Sequence, residues 1–448
     1  MVKNFMCLSI AFLNSRVFSL NQNKLLLCCL VVLFLNGCGD SKVPNPSTEP
    51  TTASVNAPSK TANSVGLGKE ITEEVESIDR IGLLARRLDE SKSSEGWINL
   101  FDGNTLFGWR TDGKANFRVE DGVIVADEGE MSLLCSNMNW GQYELIVEYR
   151  AEEETNSGVF LSSSLIPGDV SSACYEINIA PPSHPYPTGS LVERQKANAA
   201  IDGDSKGWHV MRVQHDRNTL KVEVDGVEVC DYQDSNPPSR GRIGLQHNKG
   251  RVEFRKVMLR PIGLASLLDR DLAQWKQYPE MDASFTTNEA GELHVQGGSG
   301  QMETIEQYGD FLLLAQYKLP TPEMNSGIFF RCIPGDKMMG YECQVSNFGT
   351  ETNSLLPEDC GTGGIFRRQD ARLIAGETNQ WATVVLQVEG PSMSAWVNGI
   401  QVSDWTDTRE VNENPRRGLR LEAGTIMIQG HDPKTNALFK QFNIRSLP

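Results

Sequence analysis

The 448-residue sequence predicts an all-β protein of two tandem sandwich or jelly-roll domains. Three observations carry this reading. A set of short motifs occurs twice, in the same order. Short β-branched and aromatic runs, Tyr143 to Tyr149 and Phe311 to Tyr317 among them, are separated by turn residues with no long helical pattern between. Asp225-Gly226 and Asn398-Gly399 stand between alternating runs, where a two-residue hairpin turn needs positive φ at both positions.

The repeat fixes the organisation. Leu106-x-x-Trp109 answers Leu272-x-x-Trp275, and Asn156-Ser157-Gly158 answers Asn325-Ser326-Gly327. Tyr175-Glu176 answers Tyr341-Glu342, and Thr188-Gly189 answers Thr362-Gly363. Gln246-His247 answers Gln429-Gly430-His431 near the end of each copy. The copies occupy residues 96–262 and 263–448, each an ordinary domain size.

The first 37 residues read as an export signal. Lys3, Arg16 and Lys24 precede an apolar run at 25–35, too short for the ~20 residues a bilayer span needs. The run ends in Leu35-Asn36-Gly37-Cys38, which resembles a lipoprotein cleavage box with Cys38 as the lipidated residue. The expected location is the cell envelope, lipid-anchored at the outer membrane or the periplasmic face. Residues 38–95 read as a flexible tether, Ser/Thr/Pro-rich at first, with one short helix where Ile71, Val75, Ile78, Ile81 and Leu88 fall near helical spacing.

The net charge is −16, and loss of the three signal cations brings the mature chain to −19. A surface this acidic repels phosphate backbones, which argues against nucleic acid as a partner. Each copy keeps an odd set of cysteines: Cys135, Cys174 and Cys230, then Cys332, Cys343 and Cys360. At least one thiol per copy stays free unless a bond joins the copies. No CxxC or His-x-x-x-His spacing suggests structural zinc. No nucleophile elbow, P-loop or dinucleotide fingerprint occurs.

Taken together, the Trp97–Trp109 stretch, the Asn-Ser-Gly and Tyr-Glu strands, the Thr-Gly-Gly-Ile-Phe loop, Trp-Val-Asn-Gly and the closing Gln-(Gly)-His resemble the 3-keto-disaccharide hydrolase domain family. The resemblance covers both copies. It implies a concanavalin-like jelly roll with a concave sugar-binding sheet, and an enzyme acting on an oligosaccharide or glycoside already oxidised to a ketone at sugar carbon 3. A non-catalytic carbohydrate-binding protein, or one catalytic and one binding domain, is the alternative.

Strand alternation selects the residues for such chemistry. Glu342 and Gln344 share one face of their strand, as do Glu176 and Asn178. One repeated glutamate per copy favours proton abstraction beside a ketone over a two-carboxylate glycosidase. His431 and His247 are the histidines in matching places, as acid, base or metal ligand. Gln429 and His431, two apart, can share a face, whereas Gln246 and His247 are adjacent and point oppositely. Arg331, Arg367 and Arg368 are candidates to hold a carbonyl or enolate oxygen together with Gln344. No cofactor is required by these residues, and a divalent metal stays open. The second copy is the better equipped.

Overall fold

The computed structural model describes residues 79–199, 201 and 207–448. Cys38, the signal and residues 71–78 of the expected helix lie outside them. Within the expected helix, Arg80–Leu84 is helical, capped by Asp79, whose carboxylate accepts from the N–H groups of Ile81 and Gly82. Leu83 is buried in the second domain's core while Ile81 is exposed, so the apolar spacing marks only part of the packed face. A second short helix, Glu90–Ser94, follows with Asp89 as its cap.

Each copy folds as two packed antiparallel sheets of the jelly-roll type. In the first, the larger sheet runs Val227–Gln233, Thr219–Val224, His209–Asp216, Tyr143–Ala151, Val252–Pro261, Val123–Ala126, Arg118–Glu120, with Ile98–Asn99 beside Val252–Pro261. Its smaller sheet runs Trp109–Thr111, Ser132–Ser136, Arg242–His247, Ser157–Ser163, Tyr175–Ile179. The second copy repeats the smaller sheet in the same order: Trp275–Gln277, Gly300–Thr304, Thr425–Gly430, Asn325–Cys332, Tyr341–Ser346. The hairpin expectation holds in both larger sheets: Asp225 and Gly226 have φ of 52° and 79°, Asn398 and Gly399 47° and 83°. A Cβ on Gly399 would also lie 2.5 Å from Leu88, which locks the N-terminal segment onto this turn.

The two sandwiches share a core. Phe311, Leu313 and Ala315 face the second domain's interior. The alternating Leu312 and Leu314, with Val385 and Trp396, point the other way and are buried in the first domain's cluster. That is why Phe311–Lys318 reads as a near-continuous apolar run: it is covered on both faces. Trp140 meets Trp396 edge to face at 5.7 Å. Arg372 and Asp102, both buried, form an ion pair of 3.0 Å across the junction. Glu389 receives Asn139 Nδ2 at 2.7 Å and the Arg240 guanidinium. All six cysteines among the described residues are buried free thiols, and burial pushes the Cys135, Cys230 and Cys343 thiols up to about 12.

Candidate functional site

The open face of each smaller sheet is set by strand register. In the second domain Gln301 pairs with Gln429 and Gly327 with Gln344, and the register puts Gly327 opposite Gln429. One row across the face is therefore Gln301, Gln429, Gly327, Gln344. The next is Glu303, Met427, Phe329, Glu342. Ile328, Phe330, Tyr341 and Cys343 point the opposite way, into the core.

Glycine at 327 makes the site. A Cβ there would lie 2.7 Å from Glu342 Oε1 and 3.3 Å from Gln429 Oε1, so a larger residue would fill the dent into which the carboxyl and the amide converge. Ser326 next to it fastens the strand, its hydroxyl donating to the Gln429 carbonyl at 2.8 Å. The Thr-Gly-Gly-Ile-Phe motif also has a structural cause. Residues 362–366 run beside Tyr341–Ser346, with Gly363 N–H donating to Gln344 O at 3.0 Å and Phe366 N–H to Glu342 O at 2.9 Å. Gly363 has φ +85°, and a Cβ would strike Val402 at 2.4 Å. This turn segment, bridged to the strand at Ile365, delivers Arg367 and Arg368 to the rim.

Burial pushes the Glu342 carboxyl up to about 7, against the favourable charges of Arg416 and Arg367. Such a carboxyl exchanges a proton near neutrality, as a general acid or base must. Beside it, Gln429 Nε2 donates to the Met338 sulfur at 3.2 Å, and its buried Oε1 has no partner among the described residues. Gln344 Oε1 receives the Val345 N–H at 3.3 Å. The other acid on this face, Glu303, belongs to Tyr278, Lys276 and the Gly335 N–H. Glu303 and Glu342 stand three strands apart in one row, ~14 Å at the usual strand spacing. The acid whose charge acts on Glu342 is Asp359, which raises the carboxyl further.

The remaining residues divide. Arg331 is corrected: it is fully buried and holds loops together. Its Nε donates to Gly309 O at 3.0 Å, Nη1 to Gly390 O at 2.7 Å and Arg420 O at 2.9 Å, and Nη2 to Asp310 Oδ1 at 2.7 Å. The cause is a bulge, where the pairing shifts between Phe329 and Cys332 and Arg331 takes φ 47°. Arg367 is exposed and lies over Phe366, while Arg368 Nη2 donates to Arg416 O at 3.0 Å. His431 makes no recorded contact with Glu342 among the described residues. It is exposed on the loop after the strand, its Nδ1 3.1 Å from Asp432 Oδ2.

In the first domain the same register gives Leu133, Gln246, Gly158, Asn178 and then Cys135, Gly244, Phe160, Glu176. Burial raises the Glu176 carboxyl to about 7, with Gln246 as a hydrogen-bond partner favouring the ionised form. Gln246 Oε1 and Asn178 Oδ1 are buried without partners among the described residues. Leu133, Cys135, Phe160 and Cys174 cluster under Leu165 and Val170, so apolar groups stand where the second domain has Gln301 and Glu303. His247 is buried on the opposite face from Gln246, as adjacency predicts, and neither ring nitrogen has a partner. It takes no part in the open face, which corrects that candidate. Among the described residues no three His, Cys, Asp or Glu side chains gather as metal ligands, and no step below passes through a metal.

A cavity of about 530 Å³ lies in the first domain between Tyr149, Ile179, Pro181, Ala199 and His209. Its walls are mainly apolar, with Glu152 and Glu153 among them, and neither Glu176 nor Glu342 lines it. Sequence reading missed Arg416, which stands in a connection that is less than half as long in the first copy.

The fold and this face define a tandem β-sandwich protein with a buried, titratable carboxyl on the open sheet of each domain. The family model described as the 3-keto-alpha-glucoside-1,2-lyase-like domain matches residues 96–260 and 263–445, and the chain belongs to this family. A 3-keto-disaccharide hydrolase of Bacteroides thetaiotaomicron is 26% identical over 147 residues, which is 30% of this chain and 45% of that protein. The match thus spans under half of that relative's length. Among solved structures, a glycosyl hydrolase candidate from Parabacteroides distasonis is similar at 17% identity, TM-score 0.35, over 40% of this chain and 99% of that one. The carbohydrate-binding module CBM66 of Bacillus subtilis is similar at 13% identity, TM-score 0.28, over 39% and 96%.

Proposed function

We propose that the protein is an exported enzyme, held in the cell envelope by a lipid on Cys38, that cleaves 3-keto-glycosides with its second domain. The observation that carries this reading is Glu342: a buried carboxyl on the open face, held near 7, beside the Gln429 amide oxygen that has no partner among the described residues. The family and the Bacteroides relative supply the substrate class.

A ketone at carbon 3 acidifies the hydrogen on carbon 2. Glu342 takes that proton, and the C2–H electron pair forms the enolate. Collapse of the enolate breaks the C1–O bond, and the leaving oxygen takes the proton from Glu342, which restores the carboxylate. Water then adds across the enone, oxygen to C1 and hydrogen to C2, so the net result is hydrolysis. Gln344 and Gln429 orient the sugar hydroxyls. The apolar Leu133, Cys135 and Phe160 on the first domain's face favour a binding or structural role there.

Turnover of a 3-keto-disaccharide against its unoxidised parent tests this, using full-length variants because the domains share a core. Glu342→Gln lowers turnover by ~10²–10⁴, the usual worth of a general base, and Glu176→Gln lowers it far less. Wild-type turnover by Glu342→Gln rejects the assignment.

A further inference from the structure

The two open faces differ most in one connection. Between corresponding strands the first domain has residues 234–241, and the second has 407–424, more than twice the length. The longer loop carries four arginines. Two fasten the loop: Arg409 binds Asp407 and the carbonyls of Pro415 and Gly418, and Arg420 binds Glu422 and the Glu413 carbonyl. Arg417 is exposed and its side chain has no partner among the described residues.

Arg416 is placed differently. Its N–H donates to Asn414 Oδ1 at 2.9 Å, and its carbonyl receives Arg368 Nη2 at 3.0 Å. Its own Nη2 donates to the Met338 carbonyl at 2.8 Å. The guanidinium sits 6.0 Å from the Phe329 ring centroid, and Phe329 is the cross-strand neighbour of Glu342. Three loops, 333–340, 360–368 and 407–424, are thus tied together at one residue, through its carbonyl and its guanidinium, beside the Glu342 row. Of the charges acting on the Glu342 carboxylate, that of Arg416 favours it most. Nε and Nη1 of Arg416 have no acceptor among the described residues, and the residue is exposed.

We propose that Arg416 contacts the substrate: its uncommitted N–H groups receive the C3 oxygen as it becomes an enolate, which makes the site selective for oxidised over unoxidised glycosides. The inference rests on the reading of Glu342 as base. When the C2–H bond breaks, its pair becomes the C2=C3 bond, the carbonyl π pair moves onto the C3 oxygen, and Glu342 holds the proton until the leaving oxygen takes it. Arg416 donates to that oxygen without transferring a proton. An unoxidised sugar offers no atom that gains charge there. Arg331, fully engaged in the interior, cannot take this role.

The test uses full-length Arg416→Gln, Arg416→Lys and Arg417→Gln. Removing one preorganised donor to an oxyanion typically costs ~10²–10³ in rate, so Arg416→Gln loses that factor in kcat/KM on a 3-keto-disaccharide. Its pH–rate midpoint also moves upward, because a cation favouring the carboxylate is gone. Arg416→Lys restores the midpoint but not the rate, since it lacks the planar fork. Arg417→Gln behaves as wild type. Wild-type kinetics in Arg416→Gln overturn the proposal. Glu342→Gln run beside it separates the two claims: full activity there with loss in Arg416→Gln removes the base and keeps the arginine. If the wild type turns over no 3-keto-disaccharide, equilibrium binding of that probe decides. A selective loss of affinity for the keto form in Arg416→Gln supports the contact, and unchanged affinity rejects it.

Discussion

Replacing Glu342 with Gln should make the protein less active and, above neutral pH, more stable. A carboxyl that ordinarily titrates at 4.5 keeps its proton in the folded chain up to about 7. Folding therefore favours the protonated form. The associated stability is complete below pH 4.5 and is lost as pH rises through 7. At ~1.36 kcal/mol per tenfold change, the wild type gives up about 3 kcal/mol from this group between pH 4 and pH 9. Gln has the same shape and no titration. Urea unfolding of both full-length proteins measures the effect: their stabilities nearly coincide at pH 4 and diverge by about 3 kcal/mol at pH 9, with the variant ahead. A gap that does not change between these pH values would refute the argument that burial holds this carboxyl protonated.

One further outcome follows from the shared core and one from the Leu-Asn-Gly-Cys box of the sequence. Trp396→Ala removes a second-domain side chain buried in the first domain's core, and should cost ~3–5 kcal/mol in urea unfolding with both domains weakened together; loss of one domain alone contradicts a shared core. Cys38→Ala should move the protein from the membrane to the soluble fraction, because the lipid supplies the membrane affinity; equal soluble amounts from both reject the anchor.

Much of this was legible in the sequence because it depends on local rules. The Asp225-Gly226 and Asn398-Gly399 turns follow from positive φ, and the facing of Glu176 and Glu342 from strand alternation. Comparison of the copies located Gly158 and Gly327, although only the structure shows that their missing side chains make room for the glutamates. Arg331 escaped because the bulge breaks the alternation that would have put it on the open face. Arg416 escaped for the opposite reason: a repeat comparison reports what two copies share, and the extra length of the 407–424 connection belongs to one. The outward Leu312, Leu314 and Trp396 look like ordinary strand residues until a second domain covers them.

The central claim is that the second domain breaks the glycosidic bond by elimination beside a ketone, with Glu342 as base. Turnover of a 3-keto-disaccharide in heavy water tests it most directly. The account predicts deuterium on carbon 2 of the released keto sugar, beyond what the free sugar gains by exchange, and its disappearance with turnover in Glu342→Gln. Product formed at the wild-type rate with no deuterium on carbon 2 would contradict elimination and require direct displacement at carbon 1.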